Sequence, residues 1–279
     1  MKYRWFFICI LLAGNIFVWA NIYWQRPGDL KVYFLDVGQG DSALIKSPTG
    51  RTMLVDGGPG KNILARLASV MPFGAGSVDM LMESHPDSDH VGGLPDVASH
   101  YNVNGVIKPC IDSDNPYDQA LDKIAQEKHE TEMCASPGEV IDLGGGATME
   151  ILSAGSGPRT DTNGASIVAR LAYGNTAYLF TGDATIKEEK YLEYTEPDKL
   201  RADVYKVAHH GSRESNDPDF IKDIHPAISV ISVGAGNRYG HPHQEVLDLL
   251  AKNKSAIFRT DQLGTIEVDS DGETVKNVK

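Results

Sequence analysis

The stretch SHPDSDHVGG (residues 84–93) places His85, Asp87, Asp89 and His90 within six positions and follows them with two glycines. Imidazole nitrogens and carboxylate oxygens are the ligands by which proteins bind manganese, zinc, iron or magnesium. So short a segment can supply ligands to two metal ions only where the backbone turns sharply. Two glycines permit such a turn and let a helix begin directly behind it. The stretch therefore predicts a metal centre.

Three further apolar runs end in polar loops that contain glycine. The run LVDGG leads into Asp56, TAYLFTGD leads into Asp183, and VYKVAHHG leads into His209 and His210. Strand ends on a rigid scaffold hold catalytic side chains in place better than free loops do. The alternative, that residues 84–93 form only a solvated loop, does not account for this ordered recurrence.

The charges of these residues suit an anionic substrate. Two metal ions about 4 Å apart can clamp the attacking and leaving oxygens of a displacement. Asp87, Asp89 and Asp183 together carry three negative charges, whereas two divalent cations carry four positive ones. The site would keep about one positive charge, which attracts a phosphate.

The composition sets outer limits on function. The chain has 279 residues, of which 41% are hydrophobic, and a formal net charge of −12. Its length suits one large domain or two small ones. An acidic protein has no overall attraction for nucleic acid, which argues against a simple DNA-binding module. An enzyme that binds its own cations remains compatible with this charge.

The N-terminus resembles an export segment. Lys2 and Arg4 precede an apolar run over residues 5–20, and Ala20 offers a cleavage site for a signal peptide. Extension of the run to Trp24 gives about the length of a membrane-spanning anchor. Both interpretations put the rest of the chain outside the cytoplasm, either secreted or anchored by residues 5–24. The predicted organisation is a signal peptide or anchor over 1–24, a linker over 25–29 and one domain over 30–279.

Cys110 and Cys134 are the two cysteines beyond that segment. In an exported protein such a pair favours a disulfide. It would close a loop of roughly 24 residues and contribute about 3 kcal/mol in the chain-entropy model. Two unpaired buried thiols are the alternative.

Strand patterns dominate the domain, with helical patterns between them. Alternating or apolar runs near residues 30–58 predict a β-meander, and later strands alternate with helices, so the class is α+β or a layered sandwich. Asn115 is a candidate N-cap, with Pro116 in the first turn of its helix. Helices are predicted over 62–70, 115–129, 185–194 and 243–253.

At these positions the sequence resembles the metallo-β-lactamase superfamily. Residues 85–90 look like its HxHxDH motif, with Asp87 at the second histidine position. Asp56 resembles its first motif aspartate, Asp183 its metal-bridging aspartate, and AHHGS (208–212) its last histidine motif. More narrowly, the chain resembles the extracellular domain of ComEC-type competence proteins, through FLDVGQGDS (34–42), SHPDSDHVGGL (84–94), KVAHHGS (206–212), YGHPHQEVL (239–247) and RTDQLGTI (259–266).

The resemblance implies a four-layer αβ/βα sandwich and a hydrolase site with two divalent metal ions. Asp89 would position the nucleophile, an activated water, and His210 would contact the phosphate or the leaving group. Of the two adjacent histidines His209 is the favoured ligand, although the choice between them stays open. The implied metal ligands are His85, Asp87, Asp89, His90, Asp183 and His209. The residues implied to orient a ligand or contact substrate are Asp56, Gln39, Asp41, Asn163, Ser212 and His241.

Two departures from the superfamily pattern bear on the metal. Asp87 stands for a histidine, and Asn163 lies where a further histidine ligand is expected. Because both changes replace nitrogen by harder oxygen, manganese is favoured over zinc, and one metal position is weakened.

The resulting hypothesis is an exported or membrane-tethered metal-dependent phosphodiesterase. We expect a DNase that cleaves single- or double-stranded DNA in DNA uptake or in processing of extracellular DNA. No multi-helix channel is evident, so its partner would be a separate membrane channel protein. The alternatives are a hydrolase of cell-envelope phosphodiesters or lactones, and a non-catalytic partner domain of a DNA channel, because fold does not decide substrate.

Overall fold

The computed structural model describes residues 14–15, 28–155 and 161–278. The predicted signal peptide or anchor therefore lies outside the described residues, apart from two positions. Within the described ranges, no helix combines the length and hydropathy that crossing a membrane requires.

The first sheet has eight strands in the order β15-β14-β1-β2-β3-β4-β5-β6. Strands β1, β2 and β3 pair antiparallel and form the predicted meander. Strands β3, β4, β5 and β6 pair parallel. Its strands are β1 (Leu30–Phe34), β2 (Ala43–Lys46), β3 (Thr52–Val55), β4 (Met80–Met82), β5 (Gly105–Lys108), β6 (Thr131–Cys134), β14 (Ile266–Ser270) and β15 (Val275–Asn277).

The second sheet has seven strands in the order β13-β12-β11-β10-β9-β8-β7. Strands β7 to β10 are antiparallel, and β10 to β13 are parallel. Its strands are β7 (Val140–Gly144), β8 (Ala147–Ala154), β9 (Ile167–Tyr173), β10 (Thr176–Phe180), β11 (Val204–Lys206), β12 (Ile228–Ile231) and β13 (Ala256–Arg259).

Helices connect the strands, and the four predicted ones form. Asn115 caps its helix as predicted, since its side-chain oxygen accepts a hydrogen bond from the Tyr117 amide. The helices are α1 (Asn62–Val70), α2 (Ser88–Val91), α3 (Leu94–His100), α4 (Pro116–Lys128), α5 (Ile186–Thr195), α6 (Pro197–Leu200), α7 (Pro218–Ile224), α8 (Gln244–Lys252) and α9 (Thr260–Leu263).

Three clusters of buried apolar side chains show how the layers stack. One lies between the sheets and includes Val32, Ile45, Leu171 and Tyr178. A second lies between the first sheet and α1, α3 and α4, and includes Leu44, Leu54, Leu67 and Leu121. A third lies between the second sheet and α5, α7 and α8, and includes Leu179, Tyr205, Phe220 and Leu250. Full burial of each such side chain contributes about 1.5–3 kcal/mol. The predicted four-layer αβ/βα sandwich is therefore confirmed.

The predicted disulfide is present in the structure. Cys110 follows β5 and Cys134 ends β6, and these strands pair side by side. The two Cα atoms lie 5.2 Å apart and the sulfurs are bonded. The bridge ties an edge strand of the first sheet to its neighbour.

Candidate metal centre

The candidate ligands gather because parallel strands end together. Asp56 follows β3 and His85 follows β4, and these strands are parallel neighbours in the first sheet. Asp183 follows β10, while His209 and His210 follow β11, and this pair is parallel in the second sheet. Side chains at the carboxyl ends of these four strands meet between the sheets, as a site on rigid elements requires.

Gly92 and Gly93 form the predicted turn between α2 and α3, and they also allow close packing. Both have negative φ, −54° and −92°. A Cβ on Gly93 would lie 2.2 Å from the Gly57 carbonyl oxygen, and one on Gly57 would lie 2.5 Å from the Leu94 amide nitrogen. The glycines therefore bring the start of α3 against the loop of Asp56, and that contact positions the ligand segment.

Asp56 holds two other polar residues in place. Its Oδ1 accepts from the Ser84 amide at 2.8 Å, and its Oδ2 accepts from the Ser84 hydroxyl at 2.7 Å. The same Oδ2 lies 2.9 Å from Nδ1 of His90. Because the Ser84 hydroxyl donates to Asp56, it accepts from Nδ1 of His85 at 3.1 Å. Both histidines thus use Nδ1 for support and keep Nε2 for a ligand.

The first candidate metal group is His85, His90 and Asp183, all buried, with one ligand atom from each within 4.8 Å of the others. His90 Nε2 lies 3.3 Å from Asp183 Oδ1. Both His Nε2 atoms and Asp183 Oδ1 are buried, and none of the three makes a hydrogen bond of good geometry. Since buried polar atoms almost always have a partner, this donor set fits a cation.

The second group is Asp89, His90 and His210. Nε2 of His210 lies 3.2 Å from Asp89 Oδ2, while its Nδ1 lies 2.9 Å from the Ser232 carbonyl oxygen and 3.2 Å from Asp41 Oδ1. His210 resembles His90 in that its Nε2 faces the site, but its Nδ1 is held by the Ser232 carbonyl oxygen, with Asp41 beside that contact. A further residue, Lys206, is buried and contacts Asp41 Oδ2 at 2.6 Å.

The remaining predicted ligands lie at the margin of these groups. His209 Nε2 is 3.5 Å from Asp183 Oδ2. Asp87 Oδ2 is 3.8 Å from His85 Nε2, and its Oδ1 accepts from the Thr162 hydroxyl at 2.6 Å. The Oδ1 of Asn163 is buried without a partner. The preference for His209 over His210 stays a prediction, but among the described residues His210 is the one of the two that belongs to a group of candidate ligands.

Electrostatics tie the imidazoles to the carboxylates. Burial lowers the pKa of His90, but Asp183 and Asp56 outweigh it and raise that pKa well above its usual range. Likewise burial lowers the pKa of His210, while Asp183 and Asp41 raise it to about 10. Burial raises the pKa of Asp183, and the two histidines drive it well below the usual value. The site therefore stabilises positive charge, from protons or from metal ions that replace them.

Sequence reasoning missed a set of hydrogen bonds that holds the backbone turn at His209 and His210, here called the histidine turn. His209 and His210 have positive φ, 47° and 53°, an uncommon conformation for non-glycine residues. Asn216 Nδ2 donates to the carbonyl oxygens at both ends of this turn, Ala208 at 3.0 Å and Ser212 at 2.9 Å. The buried Glu189 in turn accepts from the Asn216 amide at 2.7 Å. The only sequence signal was an acidic residue on the apolar face of a helix.

The predicted substrate-contact residues divide into two kinds. His241 lies beside His209, with ring centroids 5.5 Å apart, and burial with the neighbouring histidines lowers its pKa to about 4. Gln39 lines a cavity next to Asp89. The Ser212 hydroxyl instead is buried and accepts from the Glu214 amide at 3.2 Å, so it supports the loop after the histidine turn.

The chain matches the family model described as the metallo-β-lactamase superfamily over residues 35–235. It is 30% identical to "ComE operon protein 3" of Bacillus subtilis over 93% of this chain and 35% of that protein. It is 29% identical to "Competence protein ComA" of Neisseria gonorrhoeae over 92% of this chain and 34% of that protein. The chain spans about a third of the length of the curated relatives it matches.

Solved structures support the fold alone. The metallo-β-lactamase fold protein YhfI of Bacillus subtilis superposes with a TM-score of 0.60 at 13% identity, over 87% of this chain and 100% of that one. Igni18, a metallo hydrolase of Ignicoccus hospitalis, superposes with a TM-score of 0.56 at 12% identity, over 86% of this chain and 98% of that one. At such identity the likeness carries no statement about substrate.

Proposed function

The chain belongs to the metallo-β-lactamase superfamily as a hydrolase related to competence proteins, and on that premise we propose that it is a metal-dependent phosphodiesterase that cleaves DNA. The observation that carries the proposal is the convergence of buried ligand atoms. Nε2 of His85, Nε2 of His90 and Oδ1 of Asp183 all lie buried in one cluster. Because buried polar atoms almost always have a partner, two imidazole nitrogens and a carboxylate oxygen placed together favour a bound cation.

Two metal positions are supported by the residues around Asp183. One would be held by His85 and Asp183, with Asp87 and Asn163 at its margin. The other would be held by Asp89, His90 and His210, with His209 beside Asp183. When bound, divalent ions lower the pKa of water towards neutrality and neutralise phosphate charge.

The chain's own side chains prepare this chemistry. Asp56 orients His90 from behind, and the Ser232 carbonyl oxygen orients His210 with Asp41 beside it, so that each Nε2 faces the site. His209 is 18% exposed in its side chain, and His241 is half-buried beside it. These two imidazoles are the groups that would contact the leaving oxygen.

DNA as the substrate is supported by the names of the relatives. One is named a competence protein, one a ComE operon protein, and a third, 28% identical, is "Recombination protein 2" of Haemophilus influenzae. The net charge of −12 opposes binding of DNA elsewhere on the molecule. Attraction for a phosphodiester would then depend on the cations in the site.

The test uses the full chain after chelation, with labelled single- and double-stranded DNA and a panel of divalent metals. We expect metal-dependent cleavage that Asp183→Asn abolishes while His100→Ala retains it, because His100 lies on α3 outside the metal groups. Cleavage of envelope phosphodiesters or lactones but not DNA would transfer the proposal to those substrates. No hydrolysis of any of them would leave a binding domain and refute the proposal.

For location, we propose an extracytoplasmic domain that is secreted or anchored through residues 5–24. The charged start and the apolar run support it. A membrane channel protein is the proposed partner. Protease added to intact cells should digest the domain, and complete protection in the cytoplasm would defeat the idea.

A further inference from the structure

A cavity of about 460 Å³ opens beside the metal centre. Asp89 belongs to both, so an occupant of the cavity lies next to the reacting group. Its lining also includes Gln39, Pro59, Asn237, Arg238 and Tyr239. We propose that this cavity binds the nucleotide next to the scissile phosphodiester, with Tyr239 stacked on an unpaired base and with Arg238 and Gln39 on a phosphate. This inference rests on the proposed function.

Tyr239 provides a planar apolar face at the mouth of the cavity. It is 51% exposed, although a large side chain gains by burial. The Arg238 guanidinium carbon lies 5.0 Å from the ring centroid, and Nη2 of Arg238 donates to the Tyr239 hydroxyl at 2.9 Å. The arginine therefore holds the ring, and aromatic rings of this kind are the platforms on which unpaired bases stack.

The polar groups of the lining suit a phosphate. Within the described residues, no carboxylate pairs with Arg238, so its charge is available to an anion. Gln39 Oε1 accepts from the Gly234 amide at 3.1 Å, which orients the side-chain amide. Its Nε2 is buried and has no hydrogen-bond partner. A buried donor without an acceptor is costly unless a ligand supplies one.

The loop that carries Tyr239 is preorganised by Asn237. Asn237 Oδ1 accepts from the amides of Tyr239 and His241, both at 3.1 Å. Asn237 Nδ2 donates to the carbonyl oxygens of Gly234 at 3.1 Å and His241 at 2.7 Å. The four hydrogen bonds of this one side chain fix the loop before substrate binds. The entropic cost of binding is therefore lower.

The occupant follows from this chemistry. An aromatic face, a cation and an amide donor match a planar base joined to a phosphodiester. Glycerol or ribitol phosphodiesters of an envelope polymer lack the planar ring. Bases inside a duplex are covered by their neighbours, so the subsite takes an unpaired base.

The experiment compares two substrates, a single-stranded oligonucleotide and an oligomer of the same length whose residues are all abasic. The full chain is assayed with Tyr239→Ala and Tyr239→Phe, and with Tyr194→Ala as a matched control, because Tyr194 is 88% exposed on α5 outside the cavity. Tyr239→Ala should raise KM for the oligonucleotide about tenfold or more. Tyr194→Ala should stay near the parent. Tyr239→Phe keeps the stacking face but loses the hydroxyl that contacts Arg238, so its KM should rise less than that of Tyr239→Ala. All should cleave the abasic oligomer alike.

The outcomes separate the two proposals. If the parent cleaves both oligomers and Tyr239→Ala cleaves the oligonucleotide with the parent's KM, the subsite is refuted and the phosphodiesterase stands. If Tyr239→Ala raises KM for the abasic oligomer by the same factor as for the oligonucleotide, base stacking is refuted as the cause. If the parent cleaves neither oligomer but cleaves duplex DNA, this inference is refuted and the phosphodiesterase stands. If it cleaves neither oligomer nor duplex DNA with any metal, the proposed function falls and this inference falls with it.

Discussion

Asp56 lies 2.9 Å behind Nδ1 of His90, while Nε2 of the same ring lies 3.3 Å from Asp183. The imidazole is therefore held between a supporting carboxylate and a ligand carboxylate. This arrangement decides which ring nitrogen carries the proton, since Nδ1 donates to Asp56 and Nε2 is left for a metal.

Asp56→Asn should weaken metal binding about 10- to 100-fold, because the amide no longer accepts strongly from both Ser84 and His90. Calorimetric titration of the chelated protein with manganese measures the change. His100→Ala is the control, since its ring bonds to the Asp96 carbonyl oxygen on α3 and His100 belongs to none of the candidate metal groups of the described residues. Metal affinity equal to that of the parent would show that Asp56 does not orient the ligand.

Asp89→Ala should lower phosphodiester cleavage by several orders of magnitude, because water without an activating cation has a pKa near 15.7 rather than about 7. Folding should survive, since its side chain is one third exposed on the short α2. Asp183→Asn should be at least as severe, because Asp183 faces both histidine groups. Initial rates and circular dichroism of each variant check this, and a folded Asp89→Ala protein with the parent rate would contradict the two-metal interpretation.

Loss of a residue that orients a ligand lowers metal affinity about 10- to 100-fold. His210→Ala should lower it by more, because it removes a ligand itself. His210 is buried, and its Nδ1 is held by the Ser232 carbonyl oxygen with Asp41 nearby. His209→Ala should act mainly on kcat, because His209 lies nearer the open side. Metal content after dialysis, set beside kcat for each variant, distinguishes them. Greater metal loss in His209→Ala would restore the sequence-based assignment.

Manganese should restore activity to the chelated enzyme better than zinc. The ligand set is rich in oxygen, from Asp87, Asp89, Asp183 and Asn163, and oxygen donors favour manganese over zinc. Asp87→His should move the preference towards zinc, because it supplies a nitrogen ligand. Rescue of the parent by zinc but not by manganese would overturn the prediction.

Glu189 should make the unfolding free energy depend on pH. Burial raises its pKa to about 7, although the Asp217 and Asn216 amides oppose the shift. Between pH 4.5 and about 7 the folded state keeps a proton on Glu189 that the unfolded state has released. The contribution of Glu189 to the unfolding free energy is therefore complete below pH 4.5 and is lost as pH rises to about 7. At 1.36 kcal/mol per pH unit, the loss is about 3 kcal/mol.

Urea unfolding of the parent and of Glu189→Gln between pH 4.5 and 8 measures the effect. The parent's stability relative to the variant should fall by about 3 kcal/mol over that interval, since glutamine does not titrate. A constant difference across the interval would show that Glu189 titrates normally.

Four strands lack the apolar pattern from which strands are predicted, and they share one location. β6, β7, β13 and β15 are the outermost strands of the two sheets. Their side chains are largely exposed or half-buried, so they lack the apolar alternation that marked the interior strands. A strand at a sheet edge is held by pairing with its neighbour more than by its own pattern.

The same division holds in the site. Asp56 and Asp183 were predictable because each ends an apolar run at a glycine turn. Lys206 was not, although a lysine inside the apolar strand VYKVA was a signal. Its buried contact with Asp41 appears only when β11 packs against the loop after β1.

By itself the sequence determined the layered α+β fold, the metal-binding segment at residues 84–93 and the cysteine pair, because hydrophobic period, ligand spacing and residue type are local properties. Only the tertiary structure decided that His210 faces Asp89, 121 positions away, and that Tyr239 borders the same cavity. Such contacts depend on how two sheets pack together. Their interface is set by the combined burial of side chains from both, which no single segment encodes.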